Sequence, residues 1–380
     1  MIASLIYNER VRNWTAQFLL LAGSVTLLAW LYGNTVTNLA NRGIRVGFEF
    51  LWRSAGFPIS ESVLNYTPSD TFFWAYVVGL ANTVFISVIA IVLASVLGLI
   101  VGLARRSAHP LTSGLAGIYI TAIRNTPLIV QLLFWYALAT TSLPAPRNAI
   151  SPFGGVYLSL RGFYIPRFQL EGGLAFFLSC LIGFIGITLL VHALRRHLPS
   201  NRSFSFGYAT ALVIFSVAAW QIIGVNHSVS VPELKGFNFV GGTRLSPEFA
   251  ALMIGLVIYT SAFIGEIIRG GIDAVGKGQW EAGRAIGLKD RQTLFLIIVP
   301  QALRIIIPPL TTQYVSTVKN STLALAVGYP ELGLVVGTVI NQTGQAIESI
   351  LIMLSVYLTV SVSVSLLMNW SNAKVALVQR

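Results

Sequence analysis

Long apolar stretches without charge alternate along this chain with short segments that hold most of its charged residues. Seven such stretches lie between successive charged positions, at 12–42, 70–105, 124–147, 171–195, 202–233, 248–266 and 348–374. Each holds the roughly 17–25 apolar residues that a helix needs to cross a bilayer. Within hydrocarbon the backbone must satisfy its own hydrogen bonds, so runs of this length are predicted to be helices.

The pattern predicts about eight membrane spans, and therefore an all-α fold, a polytopic membrane helical bundle. The spans are placed at 14–32, 80–103, 128–143, 174–194, 208–223, 249–268, 304–319 and 350–368. The seventh is short and is interrupted by Pro308 and Pro309, so a re-entrant or interfacial segment is the alternative there. In the second, Gly98 and Gly102 have the spacing that lets two helices approach closely, although glycine is also generally frequent in membrane helices.

Composition agrees with a membrane protein. Of 380 residues, 55% are hydrophobic and only 10% are charged, against roughly 25% charged in an ordinary soluble domain. The first apolar run is too long for the central region of a signal peptide and lacks a small-residue cleavage site, so it is predicted to be a retained span. The single cysteine, Cys180, falls within a predicted span, which excludes a disulfide framework and a cysteine-based metal site.

The formal charge of +12 would suggest nucleic acid in a soluble protein, but membrane topology explains it better. With the N-terminus in the cytoplasm and eight spans, sixteen of the twenty-five Lys and Arg residues lie on the cytoplasmic side, and eight of the thirteen acids lie outside. The short inner loops at 104–125 and 195–207 show the bias most clearly. Since Lys and Arg set membrane topology, both termini are predicted to be cytoplasmic and no nucleic-acid partner is expected.

One inner loop, 269–304, carries nine charged residues and is predicted to bind a partner. It is too polar for the membrane and too short to fold alone. Residues 271–278 nearly spell a phosphate-binding loop, but Gly278 replaces the required Ser or Thr and a membrane span, not a strand, precedes it. Any ATP is therefore expected to be hydrolysed by another polypeptide.

Catalytic and metal chemistry are not indicated. The four histidines, at 109, 192, 197 and 227, form no i, i+4 pair, and no nearby Cys or acid completes a zinc shell. Acids are nearly absent from the predicted spans, so neither a Ser-His-Asp arrangement nor a carboxylate pair can be assembled. The chain is expected to bind no metal or cofactor and not to be an enzyme.

The strongest motif lies in the inner loop. Glu281-Ala282-Gly283 is followed by Gly287, six residues after the glutamate, and by Ile297-Ile298-Val299-Pro300. This resembles the EAA loop of permease subunits in binding-protein-dependent ATP-binding-cassette importers. Gly283 stands where that pattern has a second alanine, and Val299 where it has leucine. Residues 276–286 are predicted to form a short amphipathic helix that ends at a turn which Gly287 permits.

Further segments resemble the polar and general amino-acid branch of that family, at 79–83, 124–128, 278–281, 300–304 and 319–323. The resemblance covers about 72–370, and shorter relatives have a five-helix type I core. It implies an N-terminal addition at 1–71 and a permease domain at 72–372. Within that domain it implies inserted loops and two extra spans at about 144–247 and a coupling loop at 273–300, with a cytoplasmic tail at 373–380.

The resemblance implies the permease subunit of an ATP-driven importer of L-amino acids in the bacterial inner membrane. Its partners would be an ATPase dimer that holds ATP and Mg, a second related permease, a periplasmic amino-acid-binding protein and membrane lipid. Transport would proceed by alternating access, with ATPase motion passed to the spans through the coupling loop. The expected ATPase-coupling residues are Gly278, Trp280, Glu281, Ala282, Arg284, Gly287 and Pro300.

A zwitterionic substrate needs polar groups inside the spans, and such groups suggest function by default. The candidates are Asn82, Thr83, Ser87, Gln131, Glu266, Gln313, Ser316, Lys319 and Asn320. Hydrogen bonding between helices is the alternative for each. Glu266 and Arg269 either pair as an i, i+3 bridge or form an inner gate, and Lys319 with Asn320 could meet a carboxylate.

Two alternative functions stay open on sequence alone. A secondary transporter or channel driven by an ion gradient would need charged relays deep in the spans, and these spans have almost none. A scaffold subunit without transport is disfavoured by the polar residues in the spans. The sequence gives neither the amino acids carried nor the identity of the permease partner.

Overall fold

The helical membrane bundle predicted from the sequence is confirmed. The computed structural model describes residues 9–41, 47–171 and 226–375, with isolated positions between 180 and 218. Its α-helices are α1 (Glu9–Asn41), α2 (Phe72–Arg105), α3 (Pro110–Asn125), α4 (Leu128–Ala137), α5 (Pro247–Asp273), α6 (Lys277–Ala285), α7 (Asp290–Thr293), α8 (Val299–Asn320), α9 (Leu332–Thr343) and α10 (Ala346–Val375).

Among the described residues, five helical stretches are long and apolar enough to cross a membrane, and a bent pair makes six if it is counted as one span. They correspond to the predicted first, second, third, sixth, seventh and eighth spans. The predicted fourth and fifth spans, 174–194 and 208–223, fall almost wholly outside the described residues. By contact, residues 1–135 and 251–380 form one unit and residues 136–250 form another.

In the first unit, α2 and α5 pack through glycines. A Cβ atom at Gly98 would lie 2.6 Å from Cγ2 of Ile264, and one at Gly102 would lie 2.7 Å from the carbonyl oxygen of Gly265. No side chain fits in either place. The two glycines therefore allow the close approach of helices that their four-residue spacing predicts.

The third predicted span is preceded by a helix where the sequence analysis expects a loop. Residues 110–125 form α3, which is joined to α4 at an angle of 101°. The Gln131 side chain braces this bend, because its Nε2 donates to the carbonyl oxygens of Ile123 and Thr126 at 3.0 Å each. The loop prediction at 104–125 was wrong: the basic residues at its ends hid a helix that buries Ala116 and Ile120.

The seventh span continues beyond α8 into a break and a second short helix. A 3₁₀ segment, Ser321–Ala326, follows α8, and Gly328 then adopts a left-handed φ of +82° before α9 begins. The Asn82 side chain donates to the Pro330 carbonyl at 2.7 Å, so the break lies about 15 Å along α2 from its first residue. α9 then runs back along α2 towards Tyr76, whose hydroxyl group bonds Ser349 of α10 at 2.8 Å.

The segment before α2, residues 47–71, packs onto this end of the unit. Phe50 and Phe57 are buried against Phe72 and against the apolar face of α9, including Val335. The backbone of Ala55 also donates to the carbonyl of Asp70 at 2.7 Å. Residues 50–57 therefore contribute to the core of the first unit.

The second unit contains short strands that the sequence analysis did not predict. Tyr164 is its buried centre, 4.8 Å from the Phe239 ring, and its hydroxyl group donates to Oδ1 of Asn238 at 2.7 Å. Strands of three to five residues are too short to show a period in the sequence. They are β1 (Ile150–Phe153), β2 (Val156–Ser159), β3 (Gly162–Ile165), β4 (Arg167–Glu171), β5 (Asn226–Ser230), β6 (Glu233–Lys235), β7 (Asn238–Val240) and β8 (Thr243–Leu245). The strands pair antiparallel in three sheets, β1-β2-β3-β8, β4-β5 and β6-β7.

Candidate functional site

A short amphipathic helix, α6, follows α5 after a three-residue turn, as the sequence predicts. Trp280 is half-buried against the apolar cluster that α5 and α8 form at this end, which includes Ile268 and Ala302. Glu281 and Ala282 are exposed. One face of α6 is thus anchored on the bundle, and the other is open to a partner.

Gly287 reverses the chain after α6. Its φ of +78° lies in the left-handed region that favours glycine, and the Leu288 backbone donates to the Gly283 carbonyl at 3.0 Å. Arg284 Nε reaches across the turn to Asp290 Oδ1 at 3.0 Å. Because both side chains are largely exposed, this ion pair contributes little to stability; it fixes the position of Arg284.

The helices on either side of the turn meet at Gly283, which is buried against Thr293. This contact explains why glycine stands at the second alanine position of the motif. The Thr293 side chain occupies the space that a Cβ atom at position 283 would need. Glycine in place of the second alanine of the family motif therefore makes room for the Thr293 side chain.

The start of α8 is linked to α6 by a hydrogen bond between two glutamine side chains. Gln301 Nε2 donates to Gln279 Oε1 at 3.2 Å and to the Ile297 carbonyl at 3.0 Å. Pro300 lies in the first turn of α8, where a missing backbone N–H costs little. We call residues 277–300 the elbow. It brings together all seven residues that the sequence analysis assigns to ATPase coupling.

Three exposed apolar residues on the elbow were missed by the sequence analysis. The side chains of Ile286, Phe295 and Leu296 are 72%, 66% and 67% exposed. Large apolar side chains in an otherwise charged loop are the signal that could have found them. Exposed apolar side chains of this size suit burial by another protein or by the membrane surface.

Several residues of the predicted substrate pathway are held by their own chain. Asn82 Nδ2 donates to the carbonyls of Glu61 and Pro330, and its Oδ1 accepts from the Val63 backbone at 3.0 Å. Thr83 Oγ1 accepts from the Leu332 backbone at 3.1 Å. Both residues are fully buried. Like Gln131 at the α3–α4 bend, they brace the bundle.

Ser87 lies one turn below Thr83 on α2. It is also buried, but its hydroxyl group has no hydrogen-bond partner among the described residues. Ser87 is therefore the one α2 candidate whose polar atom is not already used by the fold.

The candidates on α8 have more open surroundings. Gln313, Ser316 and Asn320 are half-buried, and Lys319 is exposed. Lys319 lines a cavity of about 390 Å³ with Thr322 of the 3₁₀ segment and with residues of α10. A primary amine therefore lies beside the broken part of the span.

Glu266 belongs to a different group, at the other end of the unit. Its Oε2 accepts from Arg269 Nε at 3.1 Å, so the predicted i, i+3 pair is present. Arg269 also contacts Asp273 at 2.8 Å, and Asp273 contacts Arg106 of the α2 C-cap at 2.7 Å. Glu266 and Arg269 line a cavity of about 500 Å³.

A buried acid, Glu331, was counted by the sequence analysis only as a loop charge. It is fully buried just before α9, where its Oε1 accepts from the Leu334 backbone and its Oε2 from the Tyr357 hydroxyl group, each at 3.0 Å. An acid directly before an apolar helix is an N-cap signal. Among the described residues, no group of three His, Cys, Asp or Glu could hold a metal ion.

Comparison with known proteins identifies the family. The family of binding-protein-dependent transport system inner membrane components matches residues 94–377. The putative amino-acid ABC transporter permease protein YhdX of Escherichia coli (strain K12) is 47% identical over 98% of this chain and 96% of its own length. The general L-amino acid transport system permease protein AapQ of Rhizobium johnstonii is 38% identical over 99% and 95%. The glutamate/glutamine/aspartate/asparagine transport system permease protein BztB of Rhodobacter capsulatus is 32% identical over 100% and 97%.

Proposed function

This chain belongs to the family of binding-protein-dependent transport system inner membrane components, and we propose that the importer it serves carries L-amino acids into the cell. As a permease subunit it is a multi-pass membrane component of a transporter rather than an enzyme. Three relatives that match nearly its whole length are named for amino-acid transport, and this supports the substrate class. A periplasmic binding protein would deliver the amino acid to the outer face.

The elbow is the docking surface for an ATPase subunit in this proposal. The observation that carries it is the orientation of α6: Trp280 is held in the bundle while Glu281 and Ala282 are exposed. A rigid helix anchored on one side can pass a push from a soluble ATPase to α5 and α8. ATP and Mg would bind to the partner, where hydrolysis would occur.

Orientation follows from the same proposal. The elbow must lie in the cytoplasm to meet an ATPase, which puts both termini on the cytoplasmic side. The excess of Lys and Arg in the inner segments supports this topology. A reporter fused after Arg380 should be active only inside the cell.

The substrate pathway would follow α8 and reach the Glu266–Arg269 pair at its inner end. Gln313, Ser316 and Asn320 are only half-buried within this chain, so a second permease packed on α8 would enclose them. Lys319 could pair with the substrate carboxylate there, because it forms no ion pair with any described residue and a charged amine in an apolar span is costly without a partner. Asn82, Thr83 and Gln131 would brace the pathway, and Ser87 has a hydroxyl group free to contribute.

Reversal of one charge on the elbow tests the docking role. We expect Glu281→Lys to abolish amino-acid uptake while the protein remains in the membrane, because it reverses a charge on the docking surface. The matched control is Glu233→Lys, the same change at an exposed position in the second unit. Uptake, membrane abundance and the amount of co-purified ATPase should be measured for both. Wild-type uptake by Glu281→Lys with ATPase still bound would contradict the docking role.

A secondary transporter driven by an ion gradient is the competing function. Vesicles that hold the two permeases and a proton gradient but no ATPase should not accumulate amino acids. Accumulation under those conditions would favour the competitor. Competition of labelled uptake by each unlabelled amino acid would then define the substrates.

A further inference from the structure

Three arginines from three helices line the cavity beside Glu266. They are Arg105 at the end of α2, Arg124 near the end of α3 and Arg269 near the end of α5. The polar side chains of Thr121 and Asn125 also line the cavity, whose volume is about 500 Å³. This is a concave, polar and basic site between helices.

The guanidinium groups of Arg105 and Arg124 are held in place by contacts within the chain. Arg105 Nη1 donates to the Ser113 carbonyl at 3.2 Å and to the Ser113 hydroxyl oxygen at 2.9 Å. The Arg124 guanidinium stacks over the Phe263 ring at 5.0 Å from its centre. These contacts fix the positions of the two arginines but leave their charge intact.

The positive charge of the cavity exceeds its negative charge. Arg269 pairs with Glu266 and Asp273, whereas Arg105 and Arg124 form no ion pair with any residue that the structure describes. Three guanidinium groups therefore line the cavity with Glu266 as the one acid among its lining residues, so positive charge is in excess. Guanidinium groups bind oxyanions through pairs of parallel hydrogen bonds, and this arrangement suits phosphate in particular.

We propose that this cavity binds a phosphate group, held by Arg105 and Arg124, and that its main source is the headgroup of an anionic phospholipid. Arg105 is the last residue of α2, and Arg269 lies four residues before the end of α5, so the cavity lies where the helices leave the membrane. Basic pockets between helices at such an interface are a known kind of headgroup site. Thr121 and Asn125 would bond the polar part of the headgroup.

The test measures lipid retention by the whole importer. The complex, purified with its partner subunits, is placed in nanodiscs of phosphatidylcholine with an increasing fraction of phosphatidylglycerol. Retained phosphatidylglycerol per complex and the thermal unfolding midpoint are then measured. We expect Arg124→Gln and Arg105→Gln each to weaken phosphatidylglycerol binding about tenfold, since a hydrogen bond to a charged group is worth about that factor.

The matched control is Arg147→Gln. Arg147 also stacks on an aromatic ring, with its guanidinium 4.2 Å from the centre of Phe237, but it lies in the second unit. This variant loses the same charge and the same kind of contact and should retain the lipid fully. Arg124→Lys distinguishes a loss of binding from a loss of folding. It keeps the positive charge and should fold, but it should still weaken binding because an ammonium group cannot form the paired hydrogen bonds of a planar guanidinium.

Further arms separate the possible sources of the anion. Stabilisation by inorganic phosphate in pure phosphatidylcholine nanodiscs, lost in Arg124→Gln, would support a phosphate site filled from solution. Loss of phosphatidylglycerol retention by the two variants would support the lipid source. If folded Arg124→Gln retains lipid and responds to phosphate as Arg147→Gln does, the proposal is overturned. Stabilisation by L-amino acids but not by either phosphate source would also overturn it, in favour of the substrate pathway.

Discussion

Gly283 of α6 and Thr293 of α7 lie so close together that a Cβ atom at position 283 would stand 2.5 Å from Thr293 Cγ2 and 2.7 Å from Thr293 Oγ1. The Thr293 hydroxyl group is itself buried and has no hydrogen-bond partner among the described residues. At this contact the two helices of the elbow meet by steric fit, without a hydrogen bond from the Thr293 side chain.

Gly283→Ala should destabilise the elbow by about 1–3 kcal/mol, the usual cost of overpacking. Adding Thr293→Ala should recover most of the loss, because it removes both clashing atoms and breaks no hydrogen bond. Thermal unfolding of the purified complex and protease sensitivity of the elbow would measure the effect. Gly278→Ala, in the same helix but with open space around its Cβ position, should not destabilise. Equal stability of Gly283→Ala and Gly278→Ala would show that the contact between Gly283 and Thr293 does not stabilise the elbow.

The packing of α2 on α5 gives a second prediction. Gly102→Ala should cost about 1–3 kcal/mol, because the new methyl group meets the backbone of Gly265, which cannot move aside as a side chain can. The comparison is Gly337→Ala in α9, where a Cβ atom meets nothing within 4 Å. Denaturant titration in detergent would show the difference, and equal stability of the two variants would disprove it.

Asn82 should act as a brace rather than as a substrate ligand. Asn82→Asp removes the two bonds that the amide donates to Glu61 and Pro330, and about 1–3 kcal/mol of stability should be lost for each carbonyl left unsatisfied. The segment at 61–63, which Asn82 bonds, should become sensitive to protease at the same time. Uptake kinetics of the folded fraction separate the two roles. A large rise in KM with unchanged stability would show that Asn82 binds substrate instead.

Glu331 and Tyr357 should be energetically coupled. Their hydrogen bond of 3.0 Å links the start of α9 to α10 in a buried place. Tyr357→Phe and Glu331→Gln should each destabilise, and the double variant should lose less than the sum. We expect a coupling energy of about 0.5–3 kcal/mol from the double-mutant cycle. Strict additivity would mean that the bond contributes nothing.

The sequence predicts well those features that depend on local pattern. Charge-free runs locate the six spans that fall within the described residues. The spacing of Gly98 and Gly102 anticipates a close helix pair, and the elbow helix falls within a residue of its predicted bounds. Each of these depends on residues close together in the chain. The length of an apolar run and the period of a helix are both visible in the amino-acid sequence, so these features can be predicted from it.

Features that depend on distant contacts could not be read in this way. The sequence near Asn82 does not reveal that its hydrogen-bond partners are Glu61 and Pro330. Nor does it reveal that the Gln131 side chain reaches back to brace the bend between α3 and α4. The charge clusters that mark loops also concealed α3. The basic cavity assembles residues from three helices, and only their packing brings Arg105 close to Arg124.

The broken crossing formed by α8 and α9 affects how the bundle can move. A continuous helix can tilt or slide only as a whole, and its outer half must follow its inner half. With the left-handed Gly328 and a 3₁₀ segment between the two helices, rotation about a few backbone dihedrals can change the direction of α8 while α9 keeps its contacts with α2. Tilting of α8 therefore need not be transmitted to α9.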